Sequence, residues 1–339
     1  MTVKDNAAST MSAVLADRYG GPEVLRTDRH PIPTPGSGEV LLKVQAAGID
    51  RGTWHLLYGL PRIARLATGI TRPRRPIHGL DVAGVVAAVG AGVTSPRIGE
   101  EVFGISKGSL AEYAIARVDK LAPASTRLSP TESATLGVSG ITAMQALDAA
   151  ALNPGDHILI TGASGGVGSY AVQLAAARGL AVTAVCSAPK AETVMSWGAT
   201  KVLDRQSADP TTGTARFAAV IDIAGGRRAR EWKRVLTPGG TVVFVGDDSG
   251  GSWTGGYFRP LRETLAARLR RGRSGQARHV MLVSNEKGDS LHRLAQLVDQ
   301  GVVTPHIHSV ESDAASAIRL LESGTVTGKI AVLPPRSTT

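Results

Sequence analysis

The sequence feature that most constrains the fold is a glycine-rich segment in the middle of the chain, TGASGGVG at residues 161–168. An apolar run at residues 157–160 precedes it, and apolar side chains at helical spacing follow it. Glycine allows a tight turn there and a close approach of backbone N–H groups to a phosphate at a helix N-terminus. Strand, glycine loop and helix together predict a dinucleotide-binding unit; a tight turn that binds no ligand is the alternative.

The same alternation of strand and helix continues through the second half of the chain. Further strands are predicted over residues 182–186, 201–203, 218–223, 241–246 and 329–333, and helices over residues 134–152, 191–197 and 313–322. Strands that alternate with helices favour a parallel sheet covered on both faces. This region therefore predicts a doubly wound α/β domain.

The first third of the chain has a different pattern, with short apolar runs separated by glycine and proline. Strands are predicted over residues 40–44, 82–89, 101–105 and 112–115. Such closely spaced strands indicate a β-rich module. A length of 339 residues has room for both modules, each with its own core.

The chain has a single cysteine, Cys186, which excludes a disulfide framework and any site built from several thiolates. Residues 1–11 lack the cationic start and apolar stretch of a secretory signal. The longest uncharged stretch, residues 158–177, is too rich in glycine and polar side chains for a membrane span. These features predict a soluble, cytoplasmic protein without a membrane partner.

The formal net charge is +10, and many of the arginines fall in two clusters. The first contains Arg62, Arg65, Arg72, Arg74 and Arg75, and the second contains Arg259, Arg262, Arg268, Arg270, Arg271, Arg273 and Arg278. Positive runs attract nucleic acid or anionic lipid, but no nucleic-acid-binding motif accompanies them here. They are interpreted as solvated surface, and no nucleic-acid partner is predicted.

Two dehydrogenase families use a glycine loop of this kind. The spacing of Gly162, Gly166 and Gly168 is similar to that of short-chain dehydrogenases, which also need a Tyr-x-x-x-Lys pair. The two tyrosines that follow the start of the loop each have leucine, not lysine, four residues later. Read as Gly162-x-x-Gly165-x-x-Gly168 behind a β module, the loop instead resembles the medium-chain dehydrogenase/reductase superfamily, and within it the zinc-free quinone oxidoreductase (zeta-crystallin-like) branch.

The resemblance extends over nearly the whole chain. Seven short segments in the family's order carry it, at residues 19–25, 38–43, 79–86, 99–103, 108–113, 140–143 and 328–330. It implies a GroES-like, β-rich catalytic domain formed by residues 1–133 and 306–339, and a Rossmann NADPH-binding domain at residues 134–305. It also implies a homodimer joined through the Rossmann sheets.

The resemblance further implies a site without zinc. Asp50 stands where zinc-dependent relatives have a cysteine ligand, and Leu80 stands where they have a histidine ligand. The four cysteines of a structural zinc site are also missing. No metal-binding residue is therefore predicted, and His306 and His308 are interpreted as structural.

The expected cofactor is NADPH. The second strand of the α/β domain ends at Cys186 without the acidic residue that would bind a ribose hydroxyl. Ser187, Lys190 and Arg205 follow instead, where the family binds a 2′-phosphate; the alternative is that the two cations are only surface charges. The other cofactor contacts that the resemblance implies are Thr142, Ser164, Gly165, Gly166, Val167, Ala224, Val245, Gly246 and Lys329.

The resemblance implies hydride transfer to a small-molecule quinone or enone, an acceptor that needs positioning rather than a Lewis acid. Pocket residues are expected in the loop at residues 49–59, with Asp50, His55 and Tyr58 as the catalytic candidates. His55 could donate a proton near neutral pH, and a structural histidine is the alternative.

Two other functions stay open. One is a dedicated reductase of a biosynthetic intermediate, with acyl-linked intermediates included, which the first arginine cluster would favour. The other is a non-catalytic NADPH-binding protein of the crystallin or transport-associated kind.

Overall fold

The computed structural model describes residues 9–246, 277–286 and 288–336, and within them the strands form two six-stranded sheets and one two-stranded sheet. The strands are β1 (Thr10–Leu15), β2 (Arg26–Pro31), β3 (Glu39–Ile49), β4 (Asp81–Val89), β5 (Glu101–Lys107), β6 (Tyr113–Pro123), β7 (His157–Thr161), β8 (Ala181–Cys186), β9 (Lys201–Asp204), β10 (Phe217–Asp222), β11 (Leu236–Phe244), β12 (Arg278–Met281), β13 (Ile307–Glu311) and β14 (Lys329–Val332). The helices are α1 (Arg51–Tyr58), α2 (Arg65–Thr68), α3 (Pro130–Ser133), α4 (Gly137–Ala150), α5 (Gly166–Ala177), α6 (Ala191–Ser196), α7 (Ala229–Trp232), α8 (Gly288–Asp299) and α9 (Ala314–Glu322).

The first six-stranded sheet combines the N-terminal third of the chain with its C-terminal end. Its order is β13-β14-β3-β4-β5-β6, and β3 also pairs with β6, so that these last four strands close on one another. The strands predicted in the first third are confirmed as β3 to β6. Two are longer than predicted, because the end of β3 pairs with β14 and the end of β6 pairs with β5.

The second six-stranded sheet is parallel throughout, with the order β12-β11-β10-β7-β8-β9. This is the doubly wound arrangement that the strand–helix alternation predicts, so the α/β fold class is confirmed. The strand that follows β7, β8, lies toward one edge of the sheet, and the strand that follows β10, β11, lies toward the other edge. The carboxyl ends of β7 and β10 therefore border a crevice, the place where ligands bind in such sheets.

Two segments differ from the sequence prediction. The loop expected at residues 49–59 is mostly the helix α1, because Asp50 caps its first turn and Gly59, at φ +62°, ends it. Glycine at position 52, inside the first turn, weakens the helical pattern in the sequence. The helix expected at residues 134–152 is shorter, at Gly137–Ala150. A separate turn, α3, precedes it and begins with a capping box between Ser129 and Glu132.

One apolar core joins the two sheets. Ala83 and Phe103 of the first sheet belong to the same buried cluster as Leu136, Ile141 and, on β7, Ile160. The helix α4 therefore packs against both modules and holds the crevice in place between them. The strands β13 and β14 return to the first sheet, while the domain limits at residues 133/134 and 305/306 stay a prediction.

Among the described residues, no helix combines the length and the apolar character needed to cross a membrane. The first arginine cluster lies in the described part of the chain, between α1 and β4. The second cluster, apart from Arg278, lies outside the described residues.

Candidate functional site

The glycine-rich segment forms the tight turn between β7 and α5. Gly162 has φ +62°, a conformation that other residues rarely adopt, and Gly165 precedes the first turn of α5 with extended backbone. A Cβ at Gly168 would lie against the carbonyl oxygen of Gly162, so the loop has no room for a side chain there. The loop borders a cleft of about 490 Å³, lined here by Gly162, Ser164, Gly165, Gly166 and Val167.

A buried hydrogen-bond network connects the carboxyl ends of β7 and β10. Asp222 is fully buried and accepts hydrogen bonds from Thr161 Oγ1 at 2.7 Å and from Trp232 Nε1 at 3.0 Å. Thr161 Oγ1 accepts one from the Ala224 N–H at 3.1 Å, and Asp222 accepts one from the Gly225 N–H at 3.2 Å. The network fixes the loop after β10, where Ala224 and Gly225 line the cleft. Of these residues, only Ala224 was predicted from the sequence. Thr161 and Asp222, the polar residues that end the apolar strands β7 and β10, could have indicated the network.

The three residues predicted to bind a 2′-phosphate, Ser187, Lys190 and Arg205, all line the cleft. Lys190 Nζ donates hydrogen bonds to the carbonyl oxygens of Val326 at 2.7 Å and Gly324 at 3.2 Å. Desolvation lowers the pKa of Lys190, and the neighbouring Arg205 guanidinium lowers it further. Two cations that disfavour each other in a cleft form a binding environment for an anion.

Two further cations that line this cleft, Arg51 and Arg227, were not predicted. The Arg227 guanidinium forms an ion pair with Asp209 at 3.0 Å and lies 5.6 Å from the ring centroid of Trp232. Arg227, Trp232 and Pro210 line the cleft together. Arg227 lies in a loop without a motif, so only the tertiary structure identifies it.

Lys329 connects the first sheet to the glycine loop. It is 2% exposed, and its Nζ lies 3.3 Å from Asp81 Oδ2 and 2.9 Å from Ser139 Oγ. The other Asp81 oxygen accepts a hydrogen bond from the Val138 N–H at 2.6 Å. A Cβ built at Gly166 would lie 2.9 Å from Lys329 Cδ, so the lysine stem lies close against the start of α5. Lys329 and Ser139 both line the cleft; Ser139 and Asp81 were not among the predicted site residues.

Of the three catalytic candidates, only Asp50 lines the cleft. Its Oδ1 accepts a hydrogen bond from the Thr53 N–H at 2.7 Å and caps α1, while its Oδ2 is buried without a hydrogen-bond partner among the described residues. His55 lies further along α1, half-buried, with its ring edge-on to Trp54 at 5.1 Å. The cleft lining does not include His55.

Tyr58, at the end of α1, is directed to α9 rather than to the cleft. Its hydroxyl donates a hydrogen bond to Glu322 Oε1 at 2.7 Å, and Trp54 Nε1 donates to the same oxygen at 2.8 Å. Burial, the hydrogen bond to Glu322 and the Glu322 charge raise the pKa of Tyr58 to about 12. The aromatic pair on α1 therefore ties this helix to α9, and the catalytic roles of His55 and Tyr58 stay predictions.

Three of the predicted cofactor contacts lie outside the cleft lining. Thr142 Oγ1 donates a hydrogen bond to the Val138 carbonyl oxygen within α4 at 2.6 Å. The Val245 N–H donates to the Asp222 carbonyl oxygen at 2.9 Å, and Gly246 follows at the limit of the described segment. All three lie near residues that do line the cleft or hold its loops, and their contact with a cofactor stays a prediction.

His306, His308 and Cys186, to which the sequence assigned no chemical role, each contact nearby protein groups or lie buried. His306 is edge-on to Trp197 at 5.2 Å, and His308 Nδ1 accepts a hydrogen bond from the Thr327 N–H at 3.4 Å. Cys186 is buried at the end of β8 and lines the cleft, and burial raises the pKa of its thiol.

Comparison with known proteins agrees with this architecture. Residues 36–126 match the family model described as the alcohol dehydrogenase GroES-like domain, and residues 197–332 match the model described as zinc-binding dehydrogenase. A chloroplast envelope quinone oxidoreductase homolog of Arabidopsis thaliana is 31% identical over 354 residues, which cover 97% of this chain and 100% of that protein. The quinone oxidoreductase of Sus scrofa is 33% identical over 247 residues, 70% of this chain and 73% of that protein.

A solved structure shares the whole fold. The quinone oxidoreductase from Coxiella burnetii superposes with a TM-score of 0.82 at 27% sequence identity, over 96% of this chain and 99% of that one. The chain therefore belongs to the medium-chain dehydrogenase/reductase superfamily, in its quinone oxidoreductase branch. The resemblance deduced from the sequence is confirmed, and the protein is an oxidoreductase of this family with a GroES-like and a Rossmann-type part.

One matched family model is named for zinc, but the residues of this chain do not fit a zinc ion. Leu80 offers no ligand atom, and Asp50 uses one carboxylate oxygen to cap α1. Asp81, the next acidic side chain, is engaged with Lys329. Among the described residues, no group of three or more His, Cys, Asp and Glu side chains is arranged to hold a metal ion. A catalytic zinc needs three such ligands and an open position.

Proposed function

We propose that this protein is an NADPH-dependent, zinc-independent reductase of quinones or α,β-unsaturated carbonyl compounds. The observation that carries the proposal is that Ser187, Lys190 and Arg205 all line the cleft, with the two cations close enough to affect each other. Asp50 is the only acidic residue that lines the cleft among the described residues, and its carboxylate caps the first turn of α1. A guanidinium and an ammonium in a partly desolvated site favour a phosphate over a ribose hydroxyl.

The remainder of the cleft supports binding of a nicotinamide dinucleotide. The glycine loop presents the start of α5, whose free N–H groups attract a pyrophosphate, and the stem of Lys329 lies beside it. A bound reduced nicotinamide supplies a hydride. The chain itself holds the acceptor between the two sheets and shields it from water, with the loop after β10 fixed by Asp222. A planar acceptor whose oxygen becomes negative fits this cationic cleft.

The cofactor preference is tested with two single variants, Lys190→Met and Arg205→Gln. Each is expected to weaken NADPH binding roughly tenfold or more while NADH binding changes little, since each removes one charged contact to the 2′-phosphate. Tryptophan fluorescence of the protein during cofactor titration measures both affinities. Lys201→Met is the matched control, because Lys201 begins β9 whereas Arg205 follows the other end of the same strand. Equal losses for NADPH and NADH would contradict the 2′-phosphate assignment.

The reaction is tested by stopped-flow oxidation of NADPH with a panel of quinones and enones. Turnover with members of the panel supports the proposal. Tight NADPH binding without consumption of any acceptor would contradict it and favour the non-catalytic NADPH-binding protein instead. Turnover confined to acyl-linked enones would favour the dedicated biosynthetic reductase.

The assembly proposed for this protein is a homodimer formed through the Rossmann sheets. Within the described residues, β12 is the end strand of the parallel sheet, so its outer edge is the surface on which a second copy would continue the sheet. Sedimentation equilibrium of the full chain measures the state, and a monomer at micromolar concentration would contradict the proposal.

A further inference from the structure

The segment between α1 and β4 exposes three large apolar side chains within eight residues. Ile63 is 61% exposed, Leu66 is 68% exposed and Ile70 is 67% exposed. Single exposed apolar residues are common on protein surfaces, but several close together mark a surface that contacts something else. Ile63 lies in a short turn at Arg62–Ala64, Leu66 lies in α2, and Ile70 follows Gly69, at which α2 ends.

The inner side of this segment is firmly attached to the protein. The Tyr19 hydroxyl donates a hydrogen bond to the Gly69 carbonyl oxygen at 2.7 Å. Arg65 donates to the carbonyl oxygens of Gly59 at 2.9 Å and Tyr58 at 3.0 Å, and its guanidinium lies 4.3 Å from the ring centroid of Tyr19. The backbone is thus fixed on one side while the apolar side chains remain exposed on the other.

The same segment is rich in positive charge. Between Asp50 and Asp81 the sequence contains six arginines and no acidic residue. Arg72, Arg74 and Arg75 are exposed, and none of the three forms an ion pair with a described residue. Elsewhere on the surface, arginines such as Arg26 and Arg117 do form ion pairs with neighbouring carboxylates.

We propose that Arg62, Ile63, Leu66, Ile70, Arg72, Arg74 and Arg75 form a basic–apolar surface that binds an anionic lipid bilayer. Arginine pairs with lipid phosphates, and apolar side chains enter the boundary between headgroups and acyl chains. A lipid surface is favoured over an acidic protein for two reasons. The apolar side chains protrude instead of lining a groove, and the two short helical turns offer less surface than a stable protein interface requires.

The contact proposed is peripheral, so it goes beyond the proposed reaction and does not depend on it. The sequence interpretation of the first arginine cluster as solvated surface did not include the exposed apolar residues, whose exposure only the structure shows. The segment follows directly from α1, and the first residues of α1 line the cleft.

The test is flotation of the full chain with vesicles of phosphatidylcholine, with and without phosphatidylserine. The wild-type protein is expected to float with the anionic vesicles at low salt, to be released at high salt, and to remain unbound with phosphatidylcholine alone. The triple variant R72Q/R74Q/R75Q is expected to lose roughly a hundredfold in partitioning, about fivefold for each charge. Leu66→Asn is expected to weaken binding at every salt concentration.

The matched charge control is R230Q/K233Q/R234Q, which removes three exposed cations near α7. The matched apolar control is Ile98→Asn, at a side chain that is 64% exposed elsewhere on the first module. Both controls should bind vesicles like the wild type, and thermal unfolding shows that each variant is folded. Absence of vesicle binding by the wild type, or equal loss in the charge control, would overturn the proposal. A Leu66→Asn variant that changes the sedimentation mass would overturn it too, since the surface would then bind a second copy of the chain.

Discussion

The Lys329 ammonium and the Asp81 carboxylate form an ion pair at 3.3 Å in which both side chains are buried, at 1% and 0% exposure. Their partners Ser139 and Val138 belong to α4, so this pair ties the first sheet to the helix that packs against the second. Burial raises the pKa of Asp81, the Lys329 charge opposes the rise, and the nearby Asp50 charge adds to it. The pair therefore contributes to how the two modules are held beside the cleft.

Removing the Lys329 ammonium should destabilise the fold, because the buried Asp81 carboxylate loses its ion-pair partner. Lys329→Met is expected to lower the free energy of unfolding by about 3–5 kcal/mol at pH 8, because Asp81 is left without its counter-ion. The loss should become smaller as the pH falls, since Asp81 then protonates. The double variant D81N/K329M should recover most of the loss. Denaturant unfolding measures all three proteins, and a double variant as unstable as the sum of the single variants would contradict this account.

The glycine loop allows a direct steric test. Gly168→Ala places a Cβ against the Gly162 carbonyl oxygen and should destabilise the fold by about 1–3 kcal/mol. It should also weaken binding of the dinucleotide, because the first turn of α5 is displaced. The control is Gly36→Ala, whose Cβ would meet only the flexible Glu39 carboxylate, at 3.2 Å. Wild-type affinity in Gly168→Ala would show that the loop tolerates the change.

A buried histidine predicts acid sensitivity. His78 is 7% exposed, its Nε2 has no hydrogen-bond partner among the described residues, and burial lowers its pKa to about 4. Because the unfolded chain binds the proton more readily, stability attributable to His78 should be lost as the pH falls from 6.5 to about 4. The total is about 3 kcal/mol.

The measurement is the free energy of unfolding across that pH range for the wild type and for His78→Phe. The variant should lack this part of the slope. His157 and His306, whose pKa values burial also lowers, are present in both proteins and cancel in the comparison. Parallel curves for the two proteins would show that His78 is not the sensitive group.

The proton donor is tested on α1. Since His55 does not line the cleft, His55→Gln is expected to keep kcat and its pH profile near wild type. A loss of about a hundredfold or more, with a changed pH profile, would establish His55 as a general acid. Tyr58→Phe serves as the control on the same helix. It should cost about 1 kcal/mol of stability through the hydrogen bond to Glu322, with little effect on turnover.

The glycine loop shows how far local sequence information reaches. The order of strand, Gly162, Gly165, Gly168 and helix is written in consecutive residues, and so are the apolar periods of β7 and α5. The same holds for the cations after β8 and β9, because their place at the carboxyl edge follows from the strands they end. These features could be predicted since the physics that produces them acts between neighbours in the chain.

The helix α1 and the residue Arg227 show where this reach ends. A loop was expected at residues 49–59, but the structure has the helix α1 there, and the Asp50 side chain caps its first turn. Arg227 has no motif around it; it lines the cleft in a loop that Asp222 holds, and it pairs with Asp209. In both cases the deciding contact involves the placement of a side chain, which periodicity does not encode.

By itself the sequence determined the two kinds of module and the glycine loop, which depend on contiguous patterns of apolar residues and glycine. The superfamily followed from the resemblance of seven short segments to a known family. Only the tertiary structure decided which polar side chains meet at the cleft and which apolar ones stay exposed. Asp81 and Lys329 are 248 positions apart in the chain, and they begin two different strands, β4 and β14, of the first sheet. Their pairing, like the exposure of Ile63, Leu66 and Ile70, is set by packing between distant segments and so could not be read from local order.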